Sequence, residues 1–118
     1  IDYFKIVNDT HGHDIGDRVL IALSHLASSN IRDIDHIGRY GGEEFLIIMP
    51  NTLLQDATVY AERLRKAVED YHFEKIGKIT ISIGIVELLQ DENIDSMFKR
   101  VDDLLYLSKS RGRNKISY

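Results

Sequence analysis

The sequence predicts a single α/β domain, an α+β sandwich in which helices flank a central, mostly antiparallel β-sheet. Three observations predict it: apolar residues recur at helical spacing in three segments, two glycines separate a pair of strand-like runs, and residues 78–86 alternate apolar and polar side chains. The predicted order is loop, helix, hairpin, helix, strand and helix. With 118 residues the chain has room for one core, so we expect one domain over residues 1–118.

The first predicted helix follows a polar segment. Residues 8–17 are rich in Asn, Asp, Gly and His, which is typical of a loop. After them the apolar side chains recur at helical spacing from Val19 to Ala27, and the carboxylate of Asp17 stands where an N-cap is expected. We therefore predict a helix from Asp17 to about Ser28.

A tight hairpin is predicted around Gly41 and Gly42. Glycine adopts the positive φ angles of hairpin turns without steric cost, and strand-like runs lie on both sides of the pair. The second run, Phe45 to Met49, is apolar throughout. That pattern is typical of a central strand that is buried on both faces.

Two helices and one strand complete the predicted domain. One helix begins at a cap at Asp56 and presents an apolar face that includes Tyr60 and Leu64. A strand of period two spans residues 78–86, and a last helix runs from a cap at Asp95 to about Lys109. The apolar face of this last helix is predicted to point inward.

Composition excludes several classes of function. The formal net charge is −4, so there is no basic surplus to neutralise a nucleic-acid backbone, and we expect no nucleic-acid partner. The chain has no cysteine, which excludes disulfides and thiolate metal sites. The histidines lack metal-ligand spacing, so zinc is not indicated. No apolar run approaches the roughly 18 residues of a membrane helix, and we expect no direct membrane contact.

The local feature with the clearest chemistry is the run from Gly41 to Phe45, GGEEF. A glycine turn would hold two adjacent carboxylates at an exposed hairpin tip, and hard divalent cations prefer such oxygen ligands. A plain turn with solvated acids fits the same spacing, and composition does not decide between the two.

The wider segment Arg39–Phe45 resembles the signature of the GGDEF family of diguanylate cyclases, in its GGEEF form. Four other segments match that family in the same order along the chain. They are Ile1–Asp9, Gly12–Asp17, Thr80–Gly84 and Tyr106–Asn114. The resemblance covers the whole chain and implies a nucleotide-cyclase, palm-like sheet with the GGEEF hairpin at the active site.

Enzymes of this family condense two GTP molecules into cyclic di-GMP with loss of pyrophosphate. The resemblance implies a Mg²⁺ (or Mn²⁺) cofactor held by Glu43, which is also the proposed proton acceptor, and by the backbone carbonyl of Ile1. Glu44 is the second signature acid. Lys5 matches a lysine that stabilises charge on the phosphates.

The resemblance also implies the substrate contacts. Asn8 and Asp17 match the pair that reads guanine, although Asp17 could equally be an N-cap. Gly41 and Gly42 would let the backbone approach the nucleotide. Lys109 and Arg113 match the triphosphate contacts, with a basic helix end that complements the helix dipole as the alternative.

A second ligand site is implied upstream of the signature. Arg32 and Asp35 form an RxxD sequence in the register of the family's product-inhibition site, and Arg63 matches a supplementary arginine there. A surface ion pair is the alternative interpretation of RxxD.

The sequence also departs from the family pattern. The chain begins at Ile1 without a methionine, and the family's main metal-binding aspartate, its first helices and most of its first strand are missing. We therefore expect a fragment of a longer cytoplasmic protein that acts as a homodimer and carries an N-terminal sensory or receiver domain. The alternative function is a catalytically silent domain that binds cyclic di-GMP or GTP as a receptor.

Overall fold

The computed structural model describes residues 1–118 and contains four helices and four short strands. In chain order these are α1 Phe4–His11, α2 His13–Ser28, β1 His36–Gly41, β2 Glu44–Ile48, α3 Leu54–Asp70, β3 Ile83–Gly84, α4 Ile94–Ser110 and β4 Ile116–Ser117. The α/β class predicted from the sequence is confirmed.

The loop predicted over residues 8–17 is wrong, because two helices meet there. Gly12 has φ 86° and ψ 161°, and this single break separates α1 from α2. Most of the polar residues that suggested a loop are exposed on the helices, while Phe4 and Val7 of α1 are buried. Asp17 consequently lies inside α2 and is not its N-cap, since the helix begins four residues earlier.

The hairpin prediction is confirmed. Strands β1 and β2 pair antiparallel, with His36 opposite Ile48 and Gly41 opposite Glu44, and the register shifts at Tyr40. The prediction that the second strand is buried on both faces is wrong. Its side chains are half-buried or exposed, because only the face that carries Phe45 and Ile47 packs against the core.

The N-caps of α3 and α4 differ from the two predicted aspartates. Asp56 and Asp95 lie in the first turns, where a negative charge complements the helix dipole. The first amide of α3, at Leu54, donates instead to the Glu87 carboxylate (2.9 Å), and the Asn93 side chain caps α4. Glu87 lies 33 positions after Leu54 in the chain, so no local sequence pattern could predict this cap.

The strand predicted over residues 78–86 is paired only at β3, which runs parallel to β4. Two separate two-stranded sheets therefore take the place of one continuous sheet. Residues 78–82 take part in a single backbone hydrogen bond, which the Asp2 amide donates to the Thr80 carbonyl (3.0 Å). The predicted alternation is still visible, since Ile79 and Ile81 are buried.

The core lies between α1, α2, α3 and the segment before β3. Its members are Phe4, Val7, Val19, Leu20, Leu23, Ala27, Tyr60, Leu64, Val68, Phe73, Ile79 and Ile81. The apolar face of α4 is only half-buried, and Ser108 is its one fully buried side chain, donating to the Ile83 carbonyl (2.9 Å). No helix in the structure is both long enough and apolar enough to span a bilayer.

Candidate functional site

One cavity brings together side chains from α1, α2 and the β1–β2 turn. Its volume is about 430 Å³, and it is open to solvent. The lining residues are Phe4, Lys5, Asn8, His13, Asp17, Leu20, Arg39, Gly42 and Glu43. Five residues that the sequence assigned to catalysis or substrate binding are among them, although they come from three separate stretches of the chain.

The helical wall of the cavity carries Lys5, Asn8 and Asp17. Lys5 is exposed and pairs with Asp9 one turn later (2.9 Å), and this contact raises the pKa of Lys5. The Asp17 carboxylate has no hydrogen-bond partner within the protein. The Asn8 side-chain oxygen is buried and also lacks a partner. The Asp17 carboxylate is therefore available to a ligand, whereas the Asn8 oxygen is enclosed by the protein.

The opposite wall is the hairpin turn. Arg39 donates from Nε to the Gly42 carbonyl (2.9 Å) and braces the turn, in which Gly42 has φ 36°. No atom approaches within 4 Å of the side-chain position at Gly41 or Gly42, so both leave open space for a ligand. The carboxylate of Glu43 makes no ion pair and no hydrogen bond.

Three further predicted residues lie beside this turn and outside the cavity. The Ile1 nitrogen donates to the Glu43 carbonyl (3.1 Å), which places the first residue against the turn. The Glu44 carboxylate lies 3.9 Å from the Lys109 ammonium near the end of α4. The structure thus brings the predicted metal side and part of the predicted phosphate side together at one corner.

Arg113 lies in the chain just beyond α4. It has φ 63°, and its amide donates to the Ser108 carbonyl (3.0 Å). Its guanidinium lies 4.5 Å from the centre of the Tyr3 ring. The contact is a cation–π interaction that holds Arg113 beside the start of α1.

Sequence reasoning gave no role to Asp2. In the structure its buried side chain links separate segments of the chain, and we call it a junction for that reason. Its carboxylate accepts hydrogen bonds from the hydroxyls of Thr80 (2.7 Å) and Ser82 (2.6 Å) and from the Asn114 amide (3.0 Å). Three distant segments of the chain are joined at this side chain. Its donors lie far away along the chain, so no local pattern could have indicated the role.

His13 and Arg39 are the other residues that sequence reasoning missed. Neither was assigned to catalysis or ligand binding, whereas both line the cavity. The signal for Arg39 was its position inside the signature segment.

The predicted second site lies elsewhere, between the end of α2 and the start of β1. Arg32 and Asp35 are paired with each other through several hydrogen bonds, the shortest 2.6 Å, and the Asp35 side chain is 0% exposed. These bonds from Arg32 lower the pKa of Asp35. Arg63 donates to the Asn30 carbonyl (3.1 Å). Arg32 and Asp35 thus form an ion pair in which the Asp35 side chain is enclosed and the Arg32 side chain remains partly exposed.

The donors at the hairpin corner suit a hard cation. The carboxylate of Glu43 has no partner in the protein, and the Ile1 backbone lies against the same residue. No cluster of three or more His, Asp or Glu side chains exists that could enclose a metal. This donor set fits Mg²⁺, which is usually held by one or two carboxylates together with substrate phosphates.

Comparison with known proteins gives consistent matches over the whole chain. The family model described as "Diguanylate cyclase, GGDEF domain" matches residues 1–115. The chain is 43% identical over 115 residues to diguanylate cyclase DgcM of Escherichia coli K12, covering 98% of the chain and 28% of that protein. It is 43% identical over 122 residues to the response regulator PleD of Caulobacter vibrioides, covering 98% of the chain and 27% of PleD. The chain therefore spans between a quarter and a third of the length of these relatives.

Solved structures give the same result. The active GGEEF domain of a Vibrio cholerae diguanylate cyclase is similar with a TM-score of 0.89 and 38% identity, covering 99% of this chain and 76% of that one. The GGDEF domain of DgcB from Caulobacter crescentus, solved with c-di-GMP, also gives a TM-score of 0.89, at 31% identity and 99% and 72% coverage.

Proposed function

Because this chain belongs to the GGDEF family of diguanylate cyclase domains, we propose that it condenses two GTP molecules into cyclic di-GMP and pyrophosphate. One observation carries the proposal: a single cavity collects Lys5, Asn8, Asp17 and Glu43, which the sequence had assigned to this chemistry. In each transfer the 3′-oxygen of one GTP bonds to the α-phosphorus of the other. The bond from that phosphorus to pyrophosphate breaks, and pyrophosphate leaves with the electron pair.

Guanine recognition is assigned to Asn8 and Asp17. Both line the cavity, and the carboxylate of Asp17 has no partner within the protein. A carboxylate accepts hydrogen bonds from the N1–H and 2-amino group of guanine, and an amide can face an acceptor on the same base. Adenine does not present that arrangement, so the pair selects GTP over ATP.

Neutralisation of the phosphate charge is assigned to three basic side chains. Lys5 is exposed on the cavity wall, Lys109 lies 3.9 Å from the Glu44 carboxylate beside the turn, and Arg113 lies beside Tyr3 at the start of α1. Phosphoryl transfer needs mainly positioning and charge neutralisation, which these side chains supply. Gly41 and Gly42 keep the approach to the turn free of side chains.

We assign Glu43 as the group that accepts the proton of the attacking 3′-hydroxyl, since its carboxylate has no partner within the protein. A Mg²⁺ (or Mn²⁺) ion would be held by Glu43 and the Ile1 carbonyl, with Glu44 as the neighbouring acid. When bound, the cation neutralises phosphate charge. The oxygen donors of the corner support this assignment by their chemistry.

Two copies of the chain are needed, because each presents one GTP and the product has two-fold symmetry. We propose a homodimer that faces cytoplasmic GTP and is brought together by an N-terminal sensory or receiver domain. Product inhibition by cyclic di-GMP is assigned to Arg32, which Asp35 orients, and to Arg63. Arg32 supports this role because its side chain remains 48% exposed despite the ion pair.

The test incubates the purified protein with GTP and Mg²⁺ and measures cyclic di-GMP by chromatography. Glu43→Gln is expected to abolish product while far-UV circular dichroism remains unchanged. The matched control is Glu74→Gln, which removes an acid exposed in a surface pair with Arg18 and should leave turnover unchanged. Turnover retained by Glu43→Gln would refute its role. Nucleotide binding without any product from the full-length protein, which supplies the missing first strand, would favour the receptor function.

A further inference from the structure

Gly16 packs directly against the side chain of Asn8. A Cβ atom added to Gly16 would lie 1.9 Å from the Asn8 Oδ1 atom and 3.0 Å from its Cγ, so the two side chains cannot share the space. The next nearest atom is Phe4 Cζ at 3.3 Å. Gly16 lies within α2 and has no positive φ, so backbone conformation is not what requires glycine there.

The same contact explains which end of the amide is buried. Asn8 Oδ1 is the only buried side-chain nitrogen or oxygen in the protein without a hydrogen-bond partner. Since a Cα–Cβ bond is about 1.5 Å long, this oxygen lies within about 3.4 Å of the Gly16 Cα atom, the range of a weak Cα–H···O contact. With the oxygen turned toward Gly16, the NH₂ group is the end of the amide left for the cavity.

We propose that Gly16 is a specificity-determining positioning residue that holds the Asn8 amide with its NH₂ group toward the bound base. The inference rests on the proposed function, in which Asn8 reads guanine. An NH₂ group directed into the cavity requires an acceptor on the base, and guanine presents the acceptors O6 and N7 on one edge. The Asp17 carboxylate on the same wall supplies the complementary acceptor for the donor edge of guanine.

If the role of Gly16 were purely structural, its replacement by alanine would mainly lower the stability of the fold. Glycine within a helix is less favourable than alanine, so Gly16→Ala gains helix propensity while displacing a short, movable side chain. We therefore expect the fold to survive. The effect should fall on the Asn8 amide and on guanine affinity.

The first experiment uses no nucleotide. In a ¹⁵N–¹H correlation spectrum, the Asn8 side-chain amide signals are identified by their loss in Asn8→Ala. They should shift in Gly16→Ala and stay in place in Gly38→Ala, the matched control, because a Cβ at Gly38 meets nothing within 4 Å. Unchanged Asn8 signals in Gly16→Ala would overturn the proposal.

The second experiment titrates the purified protein with a non-hydrolysable GTP analogue and Mg²⁺. Gly16→Ala should weaken binding by roughly three- to tenfold, the equivalent of one hydrogen bond, and Asn8→Ala by a similar factor. The double variant should be no weaker than Asn8→Ala alone. A further loss in the double variant would overturn the proposal. If the unsubstituted protein binds no guanine nucleotide, the proposed function fails, and the spectroscopic experiment still decides whether Gly16 positions the Asn8 amide.

Discussion

Replacing Asp2 with alanine should cost a large part of the stability of this domain. Asp2 is 4% exposed, and its carboxylate accepts three hydrogen bonds, from Thr80, Ser82 and Asn114. Hydrogen bonds to a charged group contribute about 1.5–3 kcal/mol each, but the two hydroxyls can rotate toward other acceptors and the variant no longer buries a charge. We therefore expect a net loss of about 3 kcal/mol in the free energy of unfolding.

The assay is urea unfolding followed by far-UV circular dichroism. For a slope of about 1.5 kcal/mol per molar urea, the midpoint should fall by about 2 M with the slope unchanged. Asp2→Asn keeps one acceptor oxygen and should lose about half as much. The control, Asp103→Ala, removes an exposed carboxylate that makes no hydrogen bond or ion pair, and it should change stability by less than about 0.5 kcal/mol. An Asp2→Ala midpoint equal to that of the control would refute the role of this junction.

Three further predictions concern other parts of the fold. Gly84→Ala should destabilise by about 2 kcal/mol or more, because the added Cβ would lie 2.5 Å from a backbone oxygen of α4, which cannot rotate away. A thermal midpoint equal to that of the unsubstituted protein would contradict this. The guanidinium of Arg100 is the main cause that lowers the pKa of Glu92 from 4.5 to about 2, so the stability from this pair is present above pH 4.5 and lost as the pH falls toward 2. Acid unfolding of Glu92→Gln should be less steep in that window, and an unchanged slope would exclude the pair as a cause. Glu87→Ala should cost about 1 kcal/mol in urea unfolding, because it removes the cap on the Leu54 amide, and no loss would show that solvent replaces the cap.

The sequence predicted the elements whose pattern is local. Apolar residues at helical spacing located α2, α3 and α4, and the glycine pair located the hairpin, because burial of one helix face and the geometry of a tight turn depend on near neighbours. The helix ends were less well predicted. Each cap competes with other polar residues nearby, and at α3 the winning partner, Glu87, comes from another part of the chain.

The missed helix α1 shows the limit of composition. Its residues Asn8 and Asp9 are typical of loops, yet Asp9 pairs with Lys5 one turn earlier and Asn8 faces the cavity. Polar residues disfavour a helix only when their side chains compete with the backbone, and here both have other positions to occupy. The break is confined to Gly12.

The candidate site was predictable as a set of residues, since the signature and its flanking segments named most of it. Its spatial arrangement was not, because Asn8 and Asp17 come from different helices and Glu43 from the hairpin. The supporting residues were also beyond the sequence patterns. Gly16 acts through its close packing against the Asn8 side chain, and Asp2 through donors far along the chain.

Substitutions at Asp2 and Gly16 should have different effects on the stability of the fold and on guanine binding. The segment Ile1–Asp2 contacts the Glu43 carbonyl through Ile1 and the amide of Asn114, the residue after Arg113, through Asp2. It therefore links the proposed metal ligand to the chain that carries one of the proposed phosphate contacts. A substitution at Asp2 should therefore lower stability and turnover together. A substitution at Gly16 disturbs one amide and leaves these links intact, so it should lower guanine affinity alone. The proposed site thus depends on one junction that holds its two sides together and one contact that orients the group that reads the base.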